Sequence, residues 1–307
     1  MTNQELLAAL EKAGITTANT GGLLNTEQYN RFIDTVVDQS VFLKAIRFER
    51  NIAAERDLDS IGVGNRLWHK PVENTEPGDD KIKTIITGKR TLTPVEVMLP
   101  YNISLSYLEE NIEKEGGEDT INNVFAKQWG NDMVDGLMNC DTATDSGDTD
   151  YNFLSVTDGI IKRLEDDVNK QKYSRAVNDF DWKDSVFPNV MNLLPEKYQD
   201  ENDLVILTSR RVENEYRDQL GERPTLLGDK YVSERPLAYY KGIPVKTAPR
   251  IPYGFVAITT LDNIAVGVGR EMTVYRQLVP RARRVEYTIT AKVDFNYVLS
   301  EKIAYCK

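Results

Sequence analysis

From Val285 to Leu299 every odd-numbered residue is apolar or aromatic: Val285, Tyr287, Ile289, Ala291, Val293, Phe295, Tyr297 and Leu299. Of the seven residues between them, only Val298 is apolar. Successive side chains of a strand point to opposite faces, so this is the pattern of a strand with one buried face. Fifteen residues at ~3.3 Å each reach about 50 Å, well beyond the usual strand. A chain that holds such an element must build an elongated, twisted sheet and supply something long to cover it.

The sequence offers a cover of matching length. After Gly116-Gly117 breaks the chain, Asp119 or Thr120 can cap a helix. Ile121, Val124, Phe125, Trp129, Met133, Val134, Leu137 and Met138 then give it a wide apolar stripe. From Asp119 to Cys140 it spans about 33 Å at 1.5 Å per residue, and the stripe reads as core packing. A second alternating run, Val95, Val97, Leu99, Tyr101, Ile103, Leu105 and Tyr107, predicts another half-buried strand. Pro94 and Pro100 place it at an edge or a bulge, because proline cannot donate to a ladder.

Between these segments and the N-terminus lies a ribbon with little to bury. Asn65 to Val72 and Lys81 to Thr87 read as strands, and Glu76-Pro77-Gly78-Asp79 is turn chemistry. Both faces of the hairpin are largely charged or polar, and an isolated two-stranded hairpin is marginal in water. It has to dock on a neighbouring molecule. Trp68, His69, Lys81, Lys89 and Arg90 are the ribbon residues expected at such an intersubunit contact.

The first fifty residues predict short elements on polar links. Thr2-Asn3-Gln4-Glu5 has capping-box form, with Leu6, Leu7 and Leu10 following on one helical face. A second helix is expected from Thr26, with Phe32, Ile33, Val36 and Val37 as its stripe. In the middle of the chain, Val156 to Val168, Trp182 to Tyr198 and Val212 to Leu220 read as helices. Leu204 to Leu207, Tyr239 to Val245 and Phe255 to Ile258 read as strands, the second of them containing a turn.

Composition removes several classes of function. A net charge of -10 opposes a nucleic-acid grip, which depends on neutralising phosphates. The cluster Arg281, Arg283, Arg284 is the exception, and it reads as a solvated or ion-paired strand end ahead of a nucleic-acid contact. The single histidine, His69, rules out a multi-histidine metal site and reads as an ordinary surface residue ahead of a catalytic base. Gly62-Val63-Gly64 and Gly267-Val268-Gly269 lack the third glycine of the dinucleotide fingerprint, having Leu67 and Met272 there. Gly88-Lys89 has Lys83 and Arg90 where a P-loop needs Gly and Ser/Thr. Asp141, Asp145, Asp148 and Asp150 do not keep calcium-loop spacing and read as a polar connection. No cofactor is expected. Two cysteines, Cys140 and Cys306, are too few for a disulfide framework and fit folding in a reducing cytoplasm. No run of about 18 apolar residues is present to span a membrane.

The order of elements resembles the major capsid proteins of tailed bacteriophages, the Hong Kong 97-type shell fold. The stretch Tyr101-Asn102-Ile103-Ser104-Leu105-Ser106-Tyr107-Leu108-Glu109-Glu110 resembles that family's strand-to-helix passage into its peripheral domain. Trp129 to Asp141, with Asp132 or Asp135 before an apolar pair, resembles the end of its spine helix. Leu204 to Leu220, containing Leu207-Thr208-Ser209-Arg210-Arg211, resembles its axial-domain strand and helix. Leu227-Gly228-Asp229 followed by Tyr240-Lys241-Gly242-Ile243-Pro244-Val245 is the most specific match, and Leu261-Asp262-Asn263-Ile264-Ala265-Val266-Gly267, leading to Arg270, also fits.

The resemblance implies an α+β Hong Kong 97-like capsid fold. It divides into an N-terminal arm (1–60), an extended β-hairpin loop (61–94), a peripheral domain with a long spine helix (95–145), an inserted axial domain (146–275) and a C-terminal long antiparallel strand returning to the peripheral domain (276–307). It implies a structural protein, not an enzyme. Copies would form hexamers and pentamers that close into an icosahedral phage head around double-stranded DNA, held without sequence-specific binding. Expected partners are further copies, a separate scaffolding protein, a portal and a decoration protein, with no membrane. The short region before the arm leaves no room for a large fused scaffold. Expected localisation is the virion, after synthesis in the host cytoplasm. Some family members cross-link lysine to asparagine. Lys81, Lys83 and Lys89 lie on the hairpin, but no partner set matches, so no cross-link is expected. An encapsulin-type nanocompartment shell is the alternative of the same fold. An enzyme working with carboxylates alone is a third reading, which no acidic pair in the sequence singles out.

Overall fold

The computed structural model describes residues 22–23, 41–63, 70, 73, 85–106, 117–176, 179–221, 237–269 and 273–307. The first elements are β1 (Gly22–Leu23), α1 (Val41–Ala45), β2 (Arg47–Ile52), β3 (Arg56–Val63), β4 (Ile85–Leu92), β5 (Val95–Ser104) and α2 (Gly117–Asn139). Next come α3 (Tyr151–Leu154), α4 (Ile160–Asp166) and β6 (Gln171–Tyr173). A π-helical turn, Trp182–Val186, runs into α5 (Phe187–Leu193), followed by α6 (Glu196–Gln199), β7 (Leu204–Thr208) and α7 (Arg210–Gly221). The chain closes with β8 (Tyr239–Tyr240), β9 (Ile243–Thr247), β10 (Val256–Thr260), β11 (Ile264–Gly269), β12 (Thr273–Val279), β13 (Arg284–Tyr297) and β14 (Ala304–Cys306). The helices expected over the first forty residues lie outside the described residues.

The long alternating strand is β13, and it organises the first sheet, of order β1-β12-β13-β11-β2. β5 and β12 pair with the same stretch of β13, residues 284–290, and so flank it on opposite edges. Val285, Tyr287, Ile289, Ala291, Val293, Phe295 and Tyr297 are all buried, as the period of two requires. α2 lies along this buried face. A methyl added at Gly136 would sit 3.2 Å from the Phe295 ring. Nearer the other end, Tyr101 stacks between Phe125 at 3.9 Å and Tyr287 at 4.9 Å. The apolar stripe of α2 is narrower than its sequence suggests. Trp129, Met133, Val134, Leu137 and Met138 are buried, whereas Val124 is exposed. β5 pairs on one side only among the described residues, in keeping with Pro100 within it.

The second sheet has the order β6-β14-β10-β7-β9-β8 and mixes parallel with antiparallel pairs. It is a wall shared by two cores. Val205, Leu207, Ala257 and Tyr305 face the first core, with α2, α4 and β13. Leu204, Ile206, Val256, Ile258 and Cys306 face the second, with Trp182, Phe187, Val212 and Tyr216. Burial on both faces explains why these strands read as unbroken apolar runs. The chain passes between sheets three times, first from β5 in the first sheet to β6 in the second. β11 continues from β10 into the first sheet, and β14 returns from β13 into the second. Sheet membership therefore does not change at residue 275: 264–269 belong with the long strand, and 304–306 with the second sheet.

The expected single helix over 182–198 is divided. Pro188 follows the π turn at the start of α5, and Pro195 stands before α6. Each proline removes an N–H that a continuous helix needs.

β3 and β4 form a separate antiparallel ribbon, from Arg56 opposite Leu92 to Val63 opposite Ile85. It is the base of the expected hairpin. Trp68, His69, Lys81 and the turn at 76–79 lie outside the described residues.

Candidate assembly surface at the root of the hairpin

The chain gives the hairpin base two anchors. One is apolar: Ile52, Leu58 and Leu92 are buried against Ala265. Gly267 makes room for them, because a methyl there would stand 2.8 Å from Ile52 Cδ1 and 3.1 Å from Leu92 Cδ1.

The other anchor is polar. Arg90 of β4 donates to the Asp167 carboxylate, and its guanidinium carbon lies 4.1 Å from the centre of the Tyr297 ring. The Tyr297 hydroxyl donates to the same Asp167 oxygen at 2.5 Å. Asp167 ends α4, so the bond ties ribbon to helix. Three residues after Arg90, Thr93 N–H donates to Asp294 Oδ2 at 2.7 Å. Asp294 Oδ1 accepts from Arg163 at 2.7 Å and from Thr157 at 2.9 Å. Asn296 donates to the Thr91 carbonyl at 3.0 Å. Residues 90–93 are thus held by α4 and by the even-numbered side of β13.

Burial costs a charge its hydration unless partners replace it. Here they do. Burial works against the Asp167 carboxylate, but hydrogen bonds from Tyr297 and the Asn169 N–H, with the Arg90 charge, outweigh it and hold its pKa below the ordinary value. Burial, then the bond to Asp167, pushes the Tyr297 phenol up. Tyr297 therefore stays a donor at neutral pH.

Arg90, expected to face a neighbouring copy, has its guanidinium engaged inside its own chain. Lys89 does point outward, and its ammonium is 2.8 Å from Asp57 on the paired strand. Such an exposed pair contributes little. Asp167, Asp294 and Tyr297 carry the anchor and were not singled out in the sequence. The available signal was Asp294 and Asn296 inside a strand, where Asp and Asn are depleted.

Elsewhere the expectations divide. The loop with Asp141, Asp145, Asp148 and Asp150 turns its carboxylates on its own backbone: Asp141 accepts from Ala143 N–H, Asp145 from Gly147 N–H and Asp148 from Asp150 N–H. No group of three metal-ligating side chains occurs among the described residues. Arg281, Arg283 and Arg284 are exposed at the β12–β13 turn, with Arg284 2.6 Å from Glu286. Both cysteines are buried and free. No helix among the described residues is long and apolar enough to cross a membrane.

An elongated sheet covered by one long helix, a second sheet shared between two cores and a separately anchored ribbon together make a specific architecture, and solved structures share it. The chain aligns with a subunit of the satellite phage P4 procapsid at TM-score 0.73, over 100% of this chain and 98% of that one, with 14% identity. The chain has the fold of phage capsid subunits. The capsid fold is also found in the native GTA particle, at TM-score 0.59 and 13% identity over 95% of this chain and 93% of that one. The SrpI encapsulin of Synechococcus elongatus PCC 7942 aligns at TM-score 0.52 and 9% identity, over 98% and 94%. In sequence, the chain is 26% identical to the Bacillus subtilis (strain 168) protein YqbE, named as a prophage capsid protein, over 99% of this chain and 98% of that one. No family model matches. The resemblance to phage major capsid proteins read from the sequence holds.

Proposed function

We propose that the chain is the structural subunit of a phage head with the Hong Kong 97-type shell fold. The observation that carries this reading is the sequence likeness to YqbE, which runs nearly end to end in both chains. A common core alone would not preserve the arm and the hairpin, and those are the parts a shell subunit needs. Copies form hexamers and pentamers that close into an icosahedral shell around double-stranded DNA. The first sheet with α2 is the peripheral domain, and the second sheet with α7 is the axial domain. The hairpin lies over an adjacent copy through Trp68, His69, Lys81 and Lys89, and the arm runs beneath another. A net charge of -10 suits a container that must release its genome. Scaffold, portal and decoration proteins are the expected further partners, and assembly follows synthesis in the host cytoplasm. The role is structural, in line with the capsid names of the relatives.

A nanocompartment shell is the rival within this fold, and the encapsulin alignment is the observation in its favour. Particle contents decide between them: packaged DNA supports the phage head, and an enzyme cargo supports the compartment.

A further inference from the structure

Strand β12 leaves one edge of the first sheet unfinished. On one side it pairs with β13 over its whole length, from Thr273 to Val279. On the other side β1 pairs only with Thr273 and Val274, so among the described residues no strand stands beside 275–279 there. The backbone groups of a free edge are a template for another strand. This one is open to it: Tyr275 and Leu278 are 48% and 54% exposed, and Gln277 is exposed between them. β5 also ends a side of the sheet, but Pro100 lies in its middle, and proline blunts an edge. β12 has no proline until Pro280, where the strand stops.

The register of β1 names the occupant. Gly22 stands opposite Val274 and Leu23 opposite Thr273, antiparallel. Each step back along the arm is then a step forward along β12. Continued without a slip, that register matches Gly21 with Tyr275, Thr20 with Arg276, Asn19 with Gln277, Ala18 with Leu278 and Thr17 with Val279. The matches suit a ladder. Residues directly opposite share a face, so an aromatic ring meets a glycine it can cover, an amide meets an amide and a methyl meets a leucine. From Ile15 to Leu24 the chain has neither a charge nor a proline, so nothing in it repels a partner strand or breaks the ladder. Glycine and asparagine form strands poorly by themselves, and this stretch needs an edge that already exists.

We propose that residues 17–21 extend β1 along the free edge of β12 in the same chain, covering 275–279 and closing that edge to other strands. The extension ends at the β12–β13 turn, and residues 1–16 leave the sheet there, free to reach another copy. The placement concerns one chain and stands independently of the shell reading.

Disulfide trapping in the full chain tests it. One variant carries Ala18→Cys with Leu278→Cys, and another Asn19→Cys with Gln277→Cys. Neighbouring rungs alternate between wide and close pairs, and the close pair, with Cα atoms ~4.5 Å apart, admits a disulfide. Cys140 and Cys306 are buried and do not compete. After mild oxidation at least one variant is expected to close a disulfide within a single chain. Thr17→Cys with Tyr275→Cys, four rungs out of register, is expected to stay reduced. Disulfide-linked dimers would mean that a second copy's arm takes the edge, and they overturn the proposal. So does the absence of a disulfide in both variants, or equal closure of the out-of-register pair. A second measurement needs no new thiol. Thr20→Pro removes an N–H from the arm strand, and it is expected to abolish the slow exchange of those amides of 275–279 that face away from β13, with β5 unchanged. Slow exchange retained in Thr20→Pro overturns the proposal.

Discussion

The Arg90 guanidinium carbon lies over the Tyr297 ring, 4.1 Å from its centre, while both side chains hydrogen-bond the same oxygen of Asp167. A residue of the projecting ribbon, one of the long strand and one at the end of α4 thus form a single unit. The ribbon base is set by the chain's own interior.

Removing one member leaves the others buried and short of a partner. Tyr297→Phe is expected to cost about 1–3 kcal/mol, the range for orphaning a buried polar group. Arg90→Ala is expected to cost a similar amount, and Arg90→Lys to recover only part of it, because an ammonium does not reproduce the guanidinium's forked donors over the ring. Urea unfolding curves give the values. Amide exchange should also speed up in β4 for Arg90→Ala.

The same carboxylate gives stability a pH dependence. The Asp167 pKa is lower folded than unfolded, so its contribution is complete above the unfolded value of 3.8 and is lost as pH falls through the folded value. The stability difference between wild type and Asp167→Asn is therefore expected to be constant from pH 5 to 7 and to shrink below about pH 4. A difference that grows on acidification would contradict the assignment.

Gly159 precedes α4, the helix that carries Arg163 and leads into Asp167. A methyl there would lie 2.9 Å from the Gly136 carbonyl oxygen and 3.0 Å from the Cys140 nitrogen, both backbone atoms of the α2 region that cannot rotate away. Gly159→Ala is expected to destabilise by about 1–3 kcal/mol, the usual range for overpacking. Thermal melting of the variant measures it. An unchanged midpoint would mean the two helices are not seated this closely.

Burial, then Asp135, pushes the Cys140 thiol up to about 12, and burial also raises Cys306. The thiolate is the reactive form. Both thiols are expected to be silent toward a disulfide reagent at pH 8 in the folded chain and to react fully in denaturant.

Deleting Asn74 to Asp80 is expected to leave the chain folded and to weaken its joining to neighbouring copies. The apolar base at Ile52, Leu58 and Leu92 contains none of the deleted residues. Circular dichroism reads the fold and sedimentation the assembly. Unfolding of the shortened chain would place the tip in the core.

Elements with one strong period were legible. β13 was readable because its buried face is unbroken from Val285 to Tyr297, and α2 because Trp129 to Met138 form one stripe. The other face of β13 was not. Asp294 and Asn296 occupy positions that alternation assigns to solvent, and both are buried because the ribbon base and α4 cover that side. Such a cover comes from residues some 130 to 200 positions away, and no local pattern records it. The bond of Arg90 to Asp167 was hidden for the same reason. A cation on a polar ribbon looks free until Asp167, 77 residues on, is brought against it.

Self-assembly is the claim on which the rest depends, and electron microscopy of the purified chain, with any scaffolding protein encoded beside it, tests it most directly. Closed icosahedral particles of uniform size, built from rings of five and six copies, are the predicted result. A compact monomer under every assembly condition would contradict the account.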